Sequence, residues 1–121
     1  MSRAPERWHL DAGDAAEAVL NIPPDAGRER CFDVACTMTV RCDDDLAGAW
    51  HEMTVLANGQ LQWQRRINSS NPGSTDSLDL HFRRHVPVGE SLRLVVRAQT
   101  LGVRRLRLLI EADEADEADQ A

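Results

Sequence analysis

The chain has 121 residues, 42% hydrophobic and 28% charged, and a formal net charge of −6 at pH 7. This length suits one domain with its own core, and the apolar content excludes wholesale disorder. The net negative charge disfavours a generally nucleic-acid-binding surface. No stretch has the apolar length of a signal peptide or a membrane span, so we expect a soluble, cytoplasmic protein with no membrane partner.

The three cysteines are expected to be reduced and buried. Cys31, Cys36 and Cys42 lie in one segment that alternates as a strand. Neighbouring cysteines in such a strand are about 16–20 Å apart at about 3.3 Å per residue, which is too far for a disulfide bond. Thiols of this kind behave as small hydrophobic side chains.

The N-terminal third begins with a loose arm over residues 1–6. Trp8 and Leu10 then alternate with polar residues and predict a short strand. Ala15–Ile22 suits either a helical turn or a strand, because its alanines and glutamate fit both. The proline- and glycine-rich stretch Pro23–Gly27 ends this element.

Cys31–Cys42 has the clearest alternation in the chain, and a period of two over this length predicts a half-buried strand. The side chains expected to face the core are Phe32, Val34, Cys36, Met38, Val40 and Cys42. The acidic run Asp43–Asp45 then predicts a turn.

A hairpin is predicted over Trp50–Ile67, because two runs of β-forming residues flank Asn58-Gly59. Asn and Gly best tolerate the positive φ angles of a type I′ turn. A two-residue turn places Ala57 opposite Gln60, and the register that follows pairs Leu56 with Leu61, Thr54 with Trp63, Glu52 with Arg65, and Trp50 with Ile67. This register puts Trp50 and Trp63 on the apolar, core-facing side.

The remainder of the chain adds a polar surface loop and three more strands. Asn68–Ser77 is the loop, and alternating apolar residues predict strands around Leu78–Phe82, Leu92–Val96 and Leu106–Ile110. About eight short strands predict an all-β fold, an antiparallel β-sandwich with a jelly-roll or galactose-binding-like topology favoured. We expect residues 1–112 to form this single domain and residues 113–121 to form an acidic, disordered tail.

Five arginines in the last part of the chain are the candidate binding residues. If Leu94 faces Leu106 in a hairpin, Arg93 faces Arg107 on the outer surface, where like charges are destabilising. We name Arg83, Arg93, Arg97, Arg105 and Arg107 the predicted arginine set. Such a patch invites an anion: an acidic protein, a second copy of the chain, a phosphate or a carboxylate. The alternative is compensation within the molecule by the acidic tail or by nearby acids.

Other candidate chemistry is weaker. Asp43–Asp45 with Glu52 suggests calcium, but the spacing of a calcium loop is missing and a turn is favoured. The four scattered histidines have no metal-binding spacing, and we assign no metal and no cofactor. Asp79 and His81 would form an acid–base pair, although a polar sheet surface explains both. Trp8 is the one tryptophan left open for stacking on a sugar.

These patterns favour a non-enzymatic interaction module that uses an exposed, arginine-bearing sheet. The alternative is a small-ligand module, for carbohydrate or calcium, that uses loops at one end of the sandwich. The first hypothesis predicts a response to charge reversal at the arginines, and the second predicts a response at the loops. No nucleophile motif or glycine-rich phosphate loop supports an enzyme.

Overall fold

The computed structural model describes residues 4–115, which form eight β-strands and no helix. The strands are β1 (Arg7–Asp11), β2 (Glu17–Ile22), β3 (Arg30–Cys42), β4 (Trp50–Ala57), β5 (Gln60–Asn68), β6 (Thr75–Val86), β7 (Leu92–Leu101) and β8 (Val103–Glu114). The all-β prediction is therefore confirmed. The ambiguous segment at Ala15–Ile22 forms a strand from Glu17 onward.

The strands pair antiparallel in two four-stranded sheets, and the topology is a jelly roll. The first sheet has the order β1-β8-β3-β6, and the second has the order β2-β7-β4-β5. The eight strands form one long hairpin that is rolled up, as in a jelly roll. From its turn outward, its strand pairs are β4–β5, β3–β6, β2–β7 and β1–β8, and successive pairs lie in alternate sheets. The predicted sandwich with jelly-roll topology is confirmed.

The core lies between the sheets and is built from alternate residues of the central strands. In β3 the predicted inward-facing residues are all buried, from Phe32 to Cys42. Leu94 and Val96 of β7 pack from the opposite sheet, together with Met53 of β4. All three cysteines are free and buried.

The predicted hairpin forms, but its register changes after two pairs. Asn58 and Gly59 have φ angles of 49° and 78°, as a type I′ turn requires. The pairs next to the turn are as predicted, and then the register shifts so that Val55 lies opposite Trp63. Gln62 is the extra residue of a β-bulge.

This bulge corrects the predicted partners and faces of the hairpin. Glu52 pairs with Arg66 instead of Arg65, and Trp50 lies opposite Asn68 instead of Ile67. The buried face of β4 is the other one, listed here in chain order: His51, Met53, Val55 and Ala57. Trp50 therefore lies on the outer surface, where the guanidinium carbon of Arg66 is 3.6 Å from its ring centroid. Trp63 packs against the core because the bulge turns it inward.

The predicted pairing of β7 with β8 is wrong, because the two strands belong to different sheets. The link between Leu101 and Val103 is the single residue Gly102, which has a φ of 75°. A Cβ at Gly102 would lie 3.1 Å from the Cβ of Ala49, so the backbone passes close to its neighbour there. The chain uses this link to change sheets, and Arg93 does not face Arg107.

The domain extends beyond its predicted end at residue 112. Strand β8 runs to Glu114, and Ala115 is buried and donates its N–H to the carbonyl of Cys31. The predicted acidic tail therefore begins too early, because Glu114 has partners inside the fold. Its remaining part, residues 116–121, lies outside the described residues.

Candidate interaction face on the second sheet

The structure distributes the predicted arginine set over both sheets. Four members have a partner inside the molecule: Arg83 with Asp33 at 2.9 Å, Arg97 with Glu17 at 3.0 Å, Arg105 with the main-chain oxygen of Asp14 at 3.0 Å, and Arg107 with Asp11 at 3.1 Å. Among residues 4–115, the guanidinium of Arg93 has no hydrogen-bond or ion-pair partner. Arg93 is thus the one member of the predicted arginine set without a counter-charge in the described part of the chain.

A bulge in β8 separates Arg105 from Arg107. Arg107 lies opposite Thr39 and Arg105 lies opposite the buried Val40, so Leu106 is the extra residue. Arg105 therefore points to the inner side of the first sheet at its open end, while Arg107 points outward. The sequence contains no turn residue here that would have revealed the bulge.

Arg93 is held in place by the hairpin turn of the neighbouring strand pair. The side-chain oxygen of Asn58 accepts the Arg93 N–H at 2.7 Å, and the Asn58 N–H donates to the Arg93 carbonyl at 2.9 Å. The Asn58 amide also donates to the Ser91 carbonyl at 3.1 Å. The backbone of Arg93 is thus fixed while its side chain faces solvent.

An apolar row crosses the whole outer face of the second sheet next to Arg93. Its members lie opposite each other on the four strands: Val19, Val95, Leu56 and Leu61. Leu61 is 59% exposed at the edge, and Val95 is 9% exposed in the middle of the row. This row is not predicted from the sequence, because the predicted hairpin register places Leu56 and Leu61 on the buried face.

Polar residues border the apolar row on both sides. Arg93 lies opposite Asn21 on one side. On the other side are the Arg97–Glu17 ion pair and Gln64, whose amide donates to Thr54 at 2.9 Å. An apolar strip that is partly exposed and has a polar rim is typical of a protein–protein contact surface. We call this surface, from Val19 to Leu61 with Arg93, the second-sheet face.

The weaker predicted sites have other roles in the structure. Asp79 accepts a hydrogen bond from Thr37 at 2.8 Å, and no hydrogen bond joins it to His81. The Trp8 indole donates to Glu6 at 3.0 Å and is half-buried against the core. Asp45 accepts the N–H of residue 47 at 3.0 Å, which is the contact of a turn. Within the described part of the chain, no cluster of three or more His, Cys, Asp or Glu is suited to hold a metal ion.

An open cleft of about 580 Å³ lies at one end of the sandwich, where the chain passes from β7 to β8. Its lining residues are Asp14, Thr100, Val103, Arg104, Arg105 and Leu106. Arg104 lies directly opposite Arg41 in the first sheet, and neither has an ion-pair partner among residues 4–115. Two arginines therefore do face each other across neighbouring strands, but they are Arg41 and Arg104 and not the predicted pair of Arg93 and Arg107.

No protein-family model matches the chain, and no curated protein matches it in sequence. Among solved structures, dimeric latent PorU from Porphyromonas gingivalis is similar with a TM-score of 0.56 and 13% identity, over 88% of this chain and 10% of that chain. Eiger TNF from S. frugiperda has a TM-score of 0.48 and 11% identity, over 94% of each chain. A β-glucosidase from Paenibacillus barengoltzii has a TM-score of 0.47 and 19% identity, over 87% of this chain and 10% of that chain.

The similarity to PorU concerns the fold. The chain spans about a tenth of the length of PorU, and an identity of 13% identifies a shared β-architecture rather than a shared activity. The residues from 4 to 115 contain no helix long and apolar enough to cross a membrane. Fold and surface together describe a jelly-roll protein with a bordered apolar face on one sheet.

Proposed function

We propose that the protein is a non-enzymatic interaction module that binds an acidic partner protein through the second-sheet face. The observation that carries this proposal is the position of Arg93, which has no ion-pair partner among residues 4–115, beside the apolar row that ends at the exposed Leu61. Both features leave binding capacity that the described part of the chain does not use. Leu61, at the edge of the row, is 59% exposed, and the Arg93 guanidinium lacks a carboxylate partner among residues 4–115.

The apolar row and the guanidinium of the second-sheet face indicate which side chains a partner would present to it. Covering Leu56 and Leu61 removes apolar area from water, at about 25 cal/mol per Å². A guanidinium prefers a carboxylate, which it binds through two parallel hydrogen bonds. The partner is therefore expected to present an apolar side chain beside an Asp or Glu. Arg97 contributes less, because Glu17 already neutralises it at 3.0 Å.

The face is also preorganised for binding. Its four row residues lie on hydrogen-bonded strands, and Asn58 fixes the backbone of Arg93. Because little chain has to be ordered on contact, the entropic cost of binding this face is small compared with that of a flexible loop.

Site-specific photo-crosslinking tests the proposal. A photoreactive phenylalanine analogue replaces Leu61 in the cell, and crosslinked proteins are identified by mass spectrometry. The matched control places the same analogue at Val88, which is 53% exposed in the link between β6 and β7, outside the face. We expect a distinct acidic protein to be crosslinked from position 61 and not from position 88.

Charge reversal then tests the role of Arg93. Arg93→Glu is expected to remove the crosslink from position 61, whereas Arg107→Glu, on the other sheet and already paired with Asp11, is expected to retain it. Equal products from positions 61 and 88, or a crosslink that survives Arg93→Glu, would contradict the proposal.

A second candidate function is the binding of a small anionic ligand in the end cleft. The observation in its favour is the opposed pair Arg41 and Arg104 beside the cleft, which an anion would bridge. A rise in melting temperature with inorganic phosphate that is lost in Arg104→Gln would support it. The carbohydrate and calcium alternatives are tested in the same assay with a glycan panel, Ca²⁺ and EDTA.

A further inference from the structure

Strand β6 is a long, regular edge of the first sheet, and its outer side pairs with no other strand among residues 4–115. It has 12 residues, pairs with β3 on one side, and shows no register shift over that pairing. The other edge strands are shorter or irregular: β1 has 5 residues, β2 has 6, and β5 has a bulge. An edge of this length presents a row of backbone N–H and C=O groups that a further strand can bind.

The sequence of β6 is complementary to itself about His81. When two copies pair antiparallel with His81 opposite His81, Asp79 of each lies opposite Arg83 of the other. The same register places Leu80 opposite Phe82. Opposite charges that face each other across strands are stabilising, and this pairing forms that contact twice.

The register about His81 also pairs outward-facing residues with outward-facing residues and inward-facing residues with inward-facing residues. Asp79, His81 and Arg83 are exposed and point outward, whereas Leu80 and Phe82 are half-buried and pack against the core. Side chains alternate with a period of two, so the register about His81 keeps every residue on its own face. A second copy would cover the exposed parts of Leu80 and Phe82 and leave the charged residues at the surface.

Neighbouring registers lack this complementarity. Centring the pair on Leu80 places Asp79 opposite His81, and centring it on Phe82 places His81 opposite Arg83. An axis between two residues would move apolar side chains to the polar face. The register about His81 alone, among these, brings the carboxylate and the guanidinium together.

We propose that β6 pairs antiparallel with β6 of a second copy about His81, which joins the two first sheets into one continuous sheet across a symmetric dimer. Asp79 accepts hydrogen bonds from Thr37 and Ser77, and Arg83 donates its Nε–H to Asp33. Because a carboxylate has about four acceptor positions and a guanidinium has five N–H groups, both side chains can bind more than one partner. The contact lies on the opposite sheet from the second-sheet face and does not rest on the proposed function.

A charge swap measured by sedimentation velocity tests the dimer. Asp79→Arg places Arg opposite Arg83, and Arg83→Asp places Asp opposite Asp79, so each single variant is expected to raise the dimer dissociation constant on the order of tenfold or more. The double swap restores opposite charges and is expected to dimerise. An equimolar mixture of the two single variants is expected to form a heterodimer.

Arg65→Asp is the matched control, because it reverses the charge of an exposed arginine on β5 of the other sheet and is expected to leave the dimer intact. Circular dichroism confirms the fold of each variant. A wild-type protein that sediments as a monomer, or single variants that stay as dimeric as the wild type, would overturn the proposal.

Cysteine crosslinking is a second test of the dimer that does not depend on the charge variants. In the proposed register the two residues 81 have Cα atoms about 4.5–5.5 Å apart, within the range of a disulfide. We expect His81→Cys to form a covalent dimer on mild oxidation. Thr75→Cys, on the same face of the same strand, is the control, because its two copies would lie about 40 Å apart at about 3.3 Å per residue. Equal crosslinking of both variants, or none from His81→Cys, would exclude the register.

Discussion

Glu114, near the end of the last strand, accepts hydrogen bonds from both terminal nitrogens of Arg28. Arg28 also pairs with Glu6 at 3.0 Å, and the Glu114 carboxylate accepts the Glu6 N–H at 3.0 Å. The almost fully buried Arg30 binds Glu6 as well, at 3.0 Å. This ion network joins the segment before β1, the link between β2 and β3, and the end of β8, so it connects the two ends of the described part of the chain.

Replacing Glu114 with Gln is expected to destabilise the fold by about 1–3 kcal/mol, because charged hydrogen bonds to a partly buried guanidinium become neutral ones. Arg28 holds the pKa of Glu114 below its ordinary value of 4.5. The unfolded carboxyl therefore takes up its proton at a higher pH than the folded one. Its stabilisation is complete above about pH 4.5 and is lost as the pH falls through the lower pKa of the folded state.

Urea unfolding of the wild type and Glu114→Gln from pH 7 to pH 3 measures this effect. The variant is expected to lose less stability on acidification than the wild type. Glu111→Gln is the matched control, because it removes a carboxylate from the same strand that has no ion-pair partner among residues 4–115. If Glu114→Gln and Glu111→Gln give the same pH profile, the network does not contribute as described.

His51 gives the fold a second pH dependence. Its side chain is fully buried, its Nδ1 lies 2.9 Å from the Ser69 hydroxyl, and its Nε2 has no partner in the described chain. Burial lowers the pKa of His51 below 6.5, although the nearby Asp76 opposes the shift. The unfolded histidine is thus protonated first as the pH falls. Stability is expected to be full above about pH 6.5 and to decrease below it, by at most about 1.4 kcal/mol per pH unit.

The measurement is the urea midpoint between pH 8 and pH 5 for three proteins. His51→Gln is expected to be less stable at pH 8 but to have a flatter profile than the wild type over this range. Asn68→Ala, which replaces an exposed residue and removes no titratable group, should keep the wild-type slope. A His51→Gln profile parallel to that of the wild type would show that this imidazole does not titrate on unfolding.

Local sequence patterns predict those parts of the fold in which one face of a strand is clearly more apolar. β3 is such a case, because every inward residue from Phe32 to Cys42 is hydrophobic. β4 is not, since Trp50 and Leu56 on one face compete with Met53 and Val55 on the other. The face that is buried there depends on contacts with β7, which are distant in sequence.

The candidate site was hidden by irregularities that have no local signature. The bulges at Gln62 and Leu106 each reverse the alternation that follows, and nothing in the residues around them marks an insertion. Gly102 does mark a turn, but a glycine there suits a hairpin and a change of sheet equally well. The predicted arginine set therefore included Arg93 for a reason that was wrong, namely its contact with Arg107.

Asn58 is expected to stabilise both the turn and the position of Arg93. Asn58→Gly keeps a residue that tolerates a φ of 49°, but it removes the side-chain hydrogen bonds to Arg93 and Ser91. We expect it to cost about 1–2 kcal/mol, from two hydrogen bonds of about 1 kcal/mol each, partly offset by the easier turn. Asn58→Ala should cost about 1 kcal/mol more, because alanine adopts a positive φ only with strain.

Urea unfolding gives these free energies, and the order of the two variants separates the hydrogen bonds from the turn geometry. Asn68→Ala, at the far end of β5 and without a side-chain hydrogen bond among residues 4–115, is the control and is expected to change stability by less than about 0.5 kcal/mol. Because Asn58 also fixes the backbone of Arg93, Asn58→Gly is further expected to weaken the photo-crosslink from position 61, whereas Asn68→Ala leaves it unchanged. An Asn58→Gly protein as stable as the wild type, with an undiminished crosslink, would show that Arg93 needs no support from the turn.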